Sequence, residues 1–194
     1  MCELVLASGS SRRHSLLNQL NLVYSVSVPD VDESVGLDER ATTYVCRMAR
    51  SKALAVSEQY SAKHAILAAD TIISLQEEIM GKPKDIQQAK NILHKLSASE
   101  HEVLTALCLK KNENIYETML GTKVKFRSIS SSEIDAYCLT TEPYDKAGAY
   151  AIQGLASSFV EYIVGSYTNV MGLPLKKVCD LLTRANMDNL MGQK

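Results

Sequence analysis

A chain of 194 residues with 46% hydrophobic and 22% charged side chains is long enough to bury a real core, as one domain with room for two lobes. Its formal net charge of -1 excludes bulk attraction to nucleic acid or to a membrane surface, so any phosphate recognition must rest on local clusters of positive charge. Five cysteines (Cys2, Cys46, Cys108, Cys138, Cys179), odd in number and without a CxxC pair, exclude a disulfide framework and a structural zinc site. No apolar run approaches a membrane span, and the N-terminus has neither a basic region nor a long apolar one, so a cytoplasmic, reducing location is expected.

Leu4-Val5-Leu6-Ala7 reads as a short strand, followed by the small polar loop Ser8-Gly9-Ser10-Ser11 and then by Leu16, Leu17 and Leu20 at helical spacing. Ser10 or Ser11 can cap that helix. Arg12 and Arg13 in its first turn oppose the helix dipole, which favours acidic residues there. An anion would offset them, and a polyphosphate at the helix N-terminus is favoured over simple pairing with carboxylates. Val23 to Val28 alternates, predicting a half-buried strand with Tyr24, Val26 and Val28 on one face. After Pro29 an acidic loop follows, carrying Asp30, Asp32, Glu33, Asp38 and Glu39. Such a loop is either solvated or a source of a metal carboxylate.

The clearest helix is Ala41 to Gln59, with Tyr44, Val45, Met48, Ala49, Ala55 and Val56 on one arc. Lys52 falls at the centre of that arc. A lysine at the edge of an apolar stripe would snorkel out; a central one points to a specific anion. Ala65 to Ala69 and Ile72-Ile73 form an apolar run that predicts a buried strand, interrupted by Asp70-Thr71. A carboxylate in such a place is costly unless paired, hydrogen-bonded or bound to metal. Asp70 is therefore either a satisfied strand-end carboxylate or a catalytic or metal-binding one. A turn through Glu77, Glu78 and Gly81 predicts a hairpin that could return Lys82 toward Asp70.

Asp85 caps a second amphipathic helix with Ile86, Ala89, Ile92, Leu93 and Leu96 as its buried face. His101 to Lys110 and Ile115 to Phe126 read as strands joined by a turn, with Lys123 and Lys125 on a solvated face and His101 structural. Ser131 or Ser132 is expected to cap a short helix through Ile134 and Tyr137. Glu142 to Gln153 reads as a loop, Phe159 to Val164 as a strand, and Gly165 to Pro174 as a loop before a final helix with Leu175, Val178, Leu181 and Leu182. The sum is a mixed α/β fold.

Six stretches in order resemble the Maf family of nucleoside triphosphate pyrophosphatases: LASGSSRR, the helix bearing Lys52, AADT, GKP, EPYDKAGAYAIQG and GSYTNVMGLPL. The resemblance runs from Leu4 to about Leu182. The family pattern usually has proline where Ser11 stands and glycine near Ala156; neither change removes a group that could do chemistry. It implies an elongated mixed β-sheet flanked by helices, two lobes around a central cleft in the manner of inosine triphosphate pyrophosphatases, a single domain over residues 1–194, and a homodimer. It also implies cleavage of a nucleoside triphosphate to monophosphate and pyrophosphate, with a divalent metal cation (Mg, Mn or Co) as cofactor. By position, the family's phosphate-binding residues match Ser8, Arg12, Arg13, Lys52 and Lys82, and its catalytic carboxylate matches Asp70, as metal ligand or as base. Glu33 stands where a second acidic residue helps hold metal.

The branch of the family acting on dTTP and UTP reads ADT and IQG, and the 7-methyl-GTP branch reads SDQ and SEG. This chain carries Ala69-Asp70-Thr71 and Ile152-Gln153-Gly154, matching the pyrimidine branch, which implies dTTP, UTP and modified pyrimidines as substrates. The Gln153 amide offers a donor and an acceptor suited to the O4 and N3–H edge of uracil or thymine. Thr71 and Arg12 are the other specificity candidates. The alternatives are the 7-methyl-GTP activity and a non-catalytic nucleotide-binding regulator of cell division. A haloacid-dehalogenase phosphatase is set aside, because Ile72 stands where its second Asp would be needed.

Overall fold

The computed structural model describes residues 3–187, so Cys2 lies outside it. Its strands are β1 (Glu3–Ala7), β2 (Tyr24–Ser27), β3 (His64–Leu75), β4 (Glu78–Met80), β5 (Glu100–Lys111), β6 (Asn114–Phe126) and β7 (Val160–Val164). Its helices are α1 (Ser11–Asn18), α2 (Ala41–Ser57), α3 (Ile86–Leu96), α4 (Ser131–Cys138), α5 (Tyr167–Val170) and α6 (Leu175–Arg184). Short 3-10 helices occupy Ala147–Ala149 and Leu155–Phe159. The strands are hydrogen-bonded in the order β2-β1-β3-β5-β6-β7, with β4 on β3, which makes a seven-stranded mixed sheet. β1 is parallel to β2 and to β3, while β4 is antiparallel to β3 and β7 to β6. Parallel neighbours require crossovers, and α1 and α2 supply them in turn. Residues 65 to 70 of β3 are buried without alternation, as a strand covered on both faces must be.

The chain divides into two compact units, with the boundaries inside β3, β5 and β6. The first unit holds the chain through Asp70, Thr105–Leu120 and the residues from Gly172 onward. Leu6, Leu16, Leu17, Met48, Leu67 and Leu109 are among its fully buried side chains. The second unit holds Thr71–Leu104 and Gly121–Met171. Its core gathers Ile73, Leu93, Leu96, Phe126, Ile134, Tyr137 and Phe159. His101 is structural in this unit: its Nε2 lies 2.8 Å from the Tyr150 hydroxyl, with Phe126 and Tyr150 edge-on to its ring. Burial pulls its pKa down from 6.5 to about 4.

Several local expectations need correction. β2 is shorter than Val23 to Val28 and lies at the sheet edge, with Val26 and Val28 on the surface, so its alternation does not mark a buried face. Ile86, at the first position of α3, is exposed, while Ala89, Ile92, Leu93 and Leu96 are buried as expected. The cap of α4 is Ser130 rather than Ser131 or Ser132, in a capping box with Glu133. Its carboxylate is held at about 2, chiefly by Arg127. The stretch Gly165 to Pro174 is not all loop, since Ser166 caps the single turn α5. The hairpin after Asp70 does form: β3 and β4 are joined through Gln76 and Glu77, both at positive φ (51° and 70°). Among the described residues no helix is long and apolar enough to cross a membrane.

Candidate active site

β1 ends at Ala7, and the buried Ser8 opens the short loop that leads through Gly9 and Ser10 into α1. The Ser8 hydroxyl accepts from the Ser10 N–H at 3.2 Å and from Arg13 Nη1 at 3.4 Å, and the Ser8 carbonyl lies 3.1 Å from His14 Nε2. Ser10 caps α1, its hydroxyl accepting from the Arg13 N–H at 3.5 Å. Buried Leu16 and Leu17 pin the helix to the core. Arg13 is also held from the other end of the chain, donating through Nε to the Gly172 carbonyl at 2.9 Å. Gly172 has a φ of 101°, in the left-handed region that favours glycine. Burial pulls the Arg13 guanidinium down from its usual range; neighbouring Arg12 acts the same way, and Asp70 and Glu33 oppose it. A guanidinium remains cationic regardless. With no acidic residue in the first turn of α1, two arginines and a positive helix end share one place.

Lys52, 7% exposed, leaves the buried face of α2 and meets two carboxylates. Its Nζ lies 2.7 Å from Asp70 Oδ1 on β3 and 2.6 Å from Glu33 Oε1 in the acidic loop. Asp70 is as buried as Lys52, whereas the Glu33 side chain is 47% exposed. The cation hydrogen-bonded to Asp70 is Lys52, from the centre of the α2 arc, with the Arg13 guanidinium near enough to feel the same carboxylate.

The acidic loop is folded rather than merely solvated. Asp32 closes on the Ser34 N–H and hydroxyl, both at 2.9 Å. Glu39 takes the Gly36 N–H at 2.9 Å and is gripped by the Arg47 fork at 2.7 and 2.6 Å, which with Gly36 holds its pKa at about 2. Arg47 also donates to the Ser34 carbonyl at 3.0 Å. Tyr44 donates its hydroxyl to the Glu33 carbonyl at 2.8 Å, and burial, then Asp70 and Glu33, push its own pKa up to about 12. One face of α2 thus supplies both the lysine that binds Glu33 and the tyrosine that fixes its backbone.

Of the expected site residues, Ser8, Arg12, Arg13, Glu33, Lys52 and Asp70 belong to the first unit. Hydrogen bonds or short-range electrostatics link Ser8 to Arg13, Arg13 to Arg12, and Asp70 and Glu33 to Lys52. Thr71, Lys82 and Gln153 belong to the second unit. There Thr71 is half-buried, and Lys82 beyond β4 and Gln153 are exposed. Among the described residues, no three His, Cys, Asp or Glu side chains gather as a self-sufficient metal cage. Asp70 and Glu33 do form a two-carboxylate, all-oxygen donor set converging on one positive charge. That set suits a hard divalent cation that takes its remaining ligands from phosphates and water. The sequence pattern places Tyr44 on an apolar arc and gives Arg47 and His14 no signal of their own. Their partners are backbone carbonyls and a loop carboxylate, which leave no spacing signal.

A cationic helix N-terminus at a strand end, beside a carboxylate pair organised by one lysine, defines a site suited to a polyanionic ligand brought with a cation. The chain belongs to the Maf family: the family described as "Maf-like protein" matches residues 3–185. It is 42% identical over 184 residues to the dTTP/UTP pyrophosphatase of Acinetobacter baylyi, covering 95% of this chain and 100% of that protein. It is 42% identical to the Escherichia coli dTTP/UTP pyrophosphatase, covering 96% of this chain and 94% of that one. It is also 41% identical to a nucleoside triphosphate pyrophosphatase of Haemophilus ducreyi, covering 97% and 98%. Among solved structures, the Staphylococcus aureus Ham1 protein aligns with a TM-score of 0.42 at 14% identity over 64% of this chain and 71% of that one, a likeness too distant to argue from.

Proposed function

We propose that this protein hydrolyses dTTP and UTP, and modified pyrimidine triphosphates of the same edge chemistry, to the nucleoside monophosphate and pyrophosphate. The observation that carries the reading is Lys52 holding Asp70 and Glu33 within 2.7 and 2.6 Å, in the same unit as the Ser8 and Arg13 cluster. A triphosphate near pH 7 carries several negative charges, and its hydrolysis is accelerated chiefly by fixed positive groups where charge develops. Arg12, Arg13, the Ser8 hydroxyl and the first N–H groups of α1 bind phosphate oxygens. Lys52 keeps both carboxylates oriented and adds its own charge. Asp70 is the catalytic carboxylate, either as a ligand of the cation or as the base that takes the proton of the attacking water. Asp70 and Glu33 would hold a Mg²⁺, Mn²⁺ or Co²⁺ ion, which when bound neutralises the phosphates and polarises the bond to be broken.

Motif positions support Lys82 as a further phosphate ligand, and Arg12, Thr71 and Gln153 as the residues that select the base. The same resemblance supports a homodimer, which sedimentation velocity measures directly. The test is pyrophosphate release from dTTP, UTP, CTP, GTP and 7-methyl-GTP with each of the three metals. Highest kcat/KM on dTTP and UTP, with pyrophosphate rather than orthophosphate as product, is the expected result. Preference for 7-methyl-GTP would move the chain to the sister branch of the family. Tight nucleotide binding without turnover would make it a non-catalytic regulator.

A further inference from the structure

Gln153 is exposed on a turn that has almost no regular structure of its own, yet the turn is tied down at both ends. The Gly154 N–H closes it onto the Ala151 carbonyl at 3.0 Å, which places Ile152 and Gln153 at its two central positions. Just beyond, Leu155 and Ala156 open a 3-10 helix whose first N–H groups have no intrahelical partner and which has no side-chain cap from Gly154. Glu142, at the start of the loop, supplies what is missing. Its Oε2 accepts from the Leu155 N–H at 2.8 Å, and its Oε1 from the Ala156 N–H at 3.2 Å and the Tyr137 hydroxyl at 2.9 Å. The Tyr137 oxygen in turn lies beside the Ala151 N–H at the other end of the turn, which acts on it electrostatically. The chain wraps this carboxylate so closely that a Cβ on Gly154 would lie 2.3 Å from Glu142 Oε2.

We propose that Glu142, through Tyr137 and the peptide groups on either side of Gln153, is a positioning residue that sets the discrimination between uracil or thymine and cytosine. The inference rests on the reading of Gln153 as the base-selecting side chain. An amide tells the O4 and N3–H edge from the amino and bare-N3 edge only if its own orientation is fixed, since a freely rotating amide satisfies either. Ordinary loop residues hold such a side chain poorly. A buried hydroxyl and a carboxylate gripping residues 151, 155 and 156 hold its backbone in one conformation. Tyr137 is buried and its phenol is pushed well above its usual pKa, first by burial and then by Glu142, so the hydroxyl keeps its proton and donates throughout the working range. Glu142 touches no reacting atom in this account. Its effect belongs in substrate choice and not in the chemical step.

The experiment measures kcat and KM for UTP and CTP in the wild-type protein and in Glu142→Gln, Tyr137→Phe, Gln153→Ala and the Glu142→Gln/Gln153→Ala pair, with the thermal midpoint of each. A glutamine at 142 cannot accept from both flanking N–H groups, and a phenylalanine at 137 keeps the ring but releases the Ala151 end. Each is expected to lower the UTP-to-CTP ratio of kcat/KM by roughly tenfold, mainly through the KM for UTP, because a lost charged hydrogen bond is of that size. The double variant is expected to select no worse than Gln153→Ala alone, since the two act through one side chain. If Gln153→Ala removes selectivity while Glu142→Gln and Tyr137→Phe, both folded, retain it, the proposal is overturned and the base-reading role of Gln153 stands. If Gln153→Ala itself leaves selectivity intact, that role fails and the proposal falls with it. Should Glu142→Gln not fold, Tyr137→Phe decides by the same ratio.

Discussion

Lys52 is the residue on which the two carboxylates depend. Removing one partner of a buried ion pair strands the other, which is more damaging than replacing both. Lys52→Met is therefore expected to destabilise the fold by roughly 3 kcal/mol as well as to reduce turnover, and Lys52→Met/Asp70→Asn to recover part of the stability but none of the activity. Urea denaturation of the two variants checks this, and a Lys52→Met protein as stable as wild type would mean the ion pair contributes nothing. Asp70→Asn alone keeps an oxygen that can accept from Lys52, so it should fold normally and lose at least ~10²-fold in kcat. Near-wild-type turnover at saturating metal would remove Asp70 from the chemistry. At this scale much could be read from the chain. A lysine at the middle of an apolar arc and an aspartate inside an apolar strand each require a counter-charge, and the shortest solution is that they meet, at 2.7 Å. The hydroxyl of Tyr44 was illegible because its partner is the Glu33 carbonyl, and every residue has a carbonyl.

The acidic loop and α2 behave as one element, since Tyr44 and Arg47, one helical turn apart, fasten the loop along the helix. Tyr44→Phe deletes a hydroxyl without changing the packed ring and removes its hydrogen bond to the Glu33 carbonyl. The expected cost is about 1 kcal/mol in stability and a several-fold loss in kcat/KM that exceeds what the stability change explains. Steady-state kinetics beside thermal melting separate the two; parallel losses would reduce Tyr44 to a packing residue. Element boundaries were legible where burial is continuous or strictly periodic, as in β3 and α2. They were not where four residues decide the matter. Tyr167–Val170 forms a helix because Ser166 happens to bond the Asn169 N–H, a local event that hydrophobic pattern does not record. The valines beside and within β2 alternate as a half-buried strand should, but the strand closes one edge of the sheet, a matter of topology that alternation does not encode.

For the molecule as a whole, His101 links stability to pH. Its folded pKa of about 4 lies below the unfolded value of 6.5, so between these limits the unfolded chain binds the extra proton. Stability therefore rises with pH across that window, and acidification from 6.5 toward 4 removes about 3 kcal/mol at most. The carboxylates held at about 2 by Arg47 and Arg127 act lower still, from the ordinary glutamate value of 4.5 downward. Urea midpoints measured from pH 7.5 to 4.5 should fall mainly below 6.5, with a flatter profile in His101→Gln. An identical slope in that variant would place the acid sensitivity elsewhere. Of the whole architecture, the order of strands and helices was legible in the alternation of apolar runs with amphipathic stretches. The cut of the chain into two units was not, because it passes through β3, β5 and β6, where the sequence shows no break.

The hairpin joining β3 to β4 leaves room for improvement by protein engineering. Gln76 and Glu77 both adopt left-handed backbone angles, the geometry of a two-residue type I′ turn, although neither residue type favours it. Asparagine followed by glycine is the pair that takes up such a turn without strain. Gln76→Asn with Glu77→Gly should therefore raise the melting temperature by about 2–4 °C, the shift that roughly 1 kcal/mol produces in a protein of this size. Calorimetry on the double variant decides it: an unchanged or lowered transition would mean that contacts of the native side chains outweigh the strain of holding them.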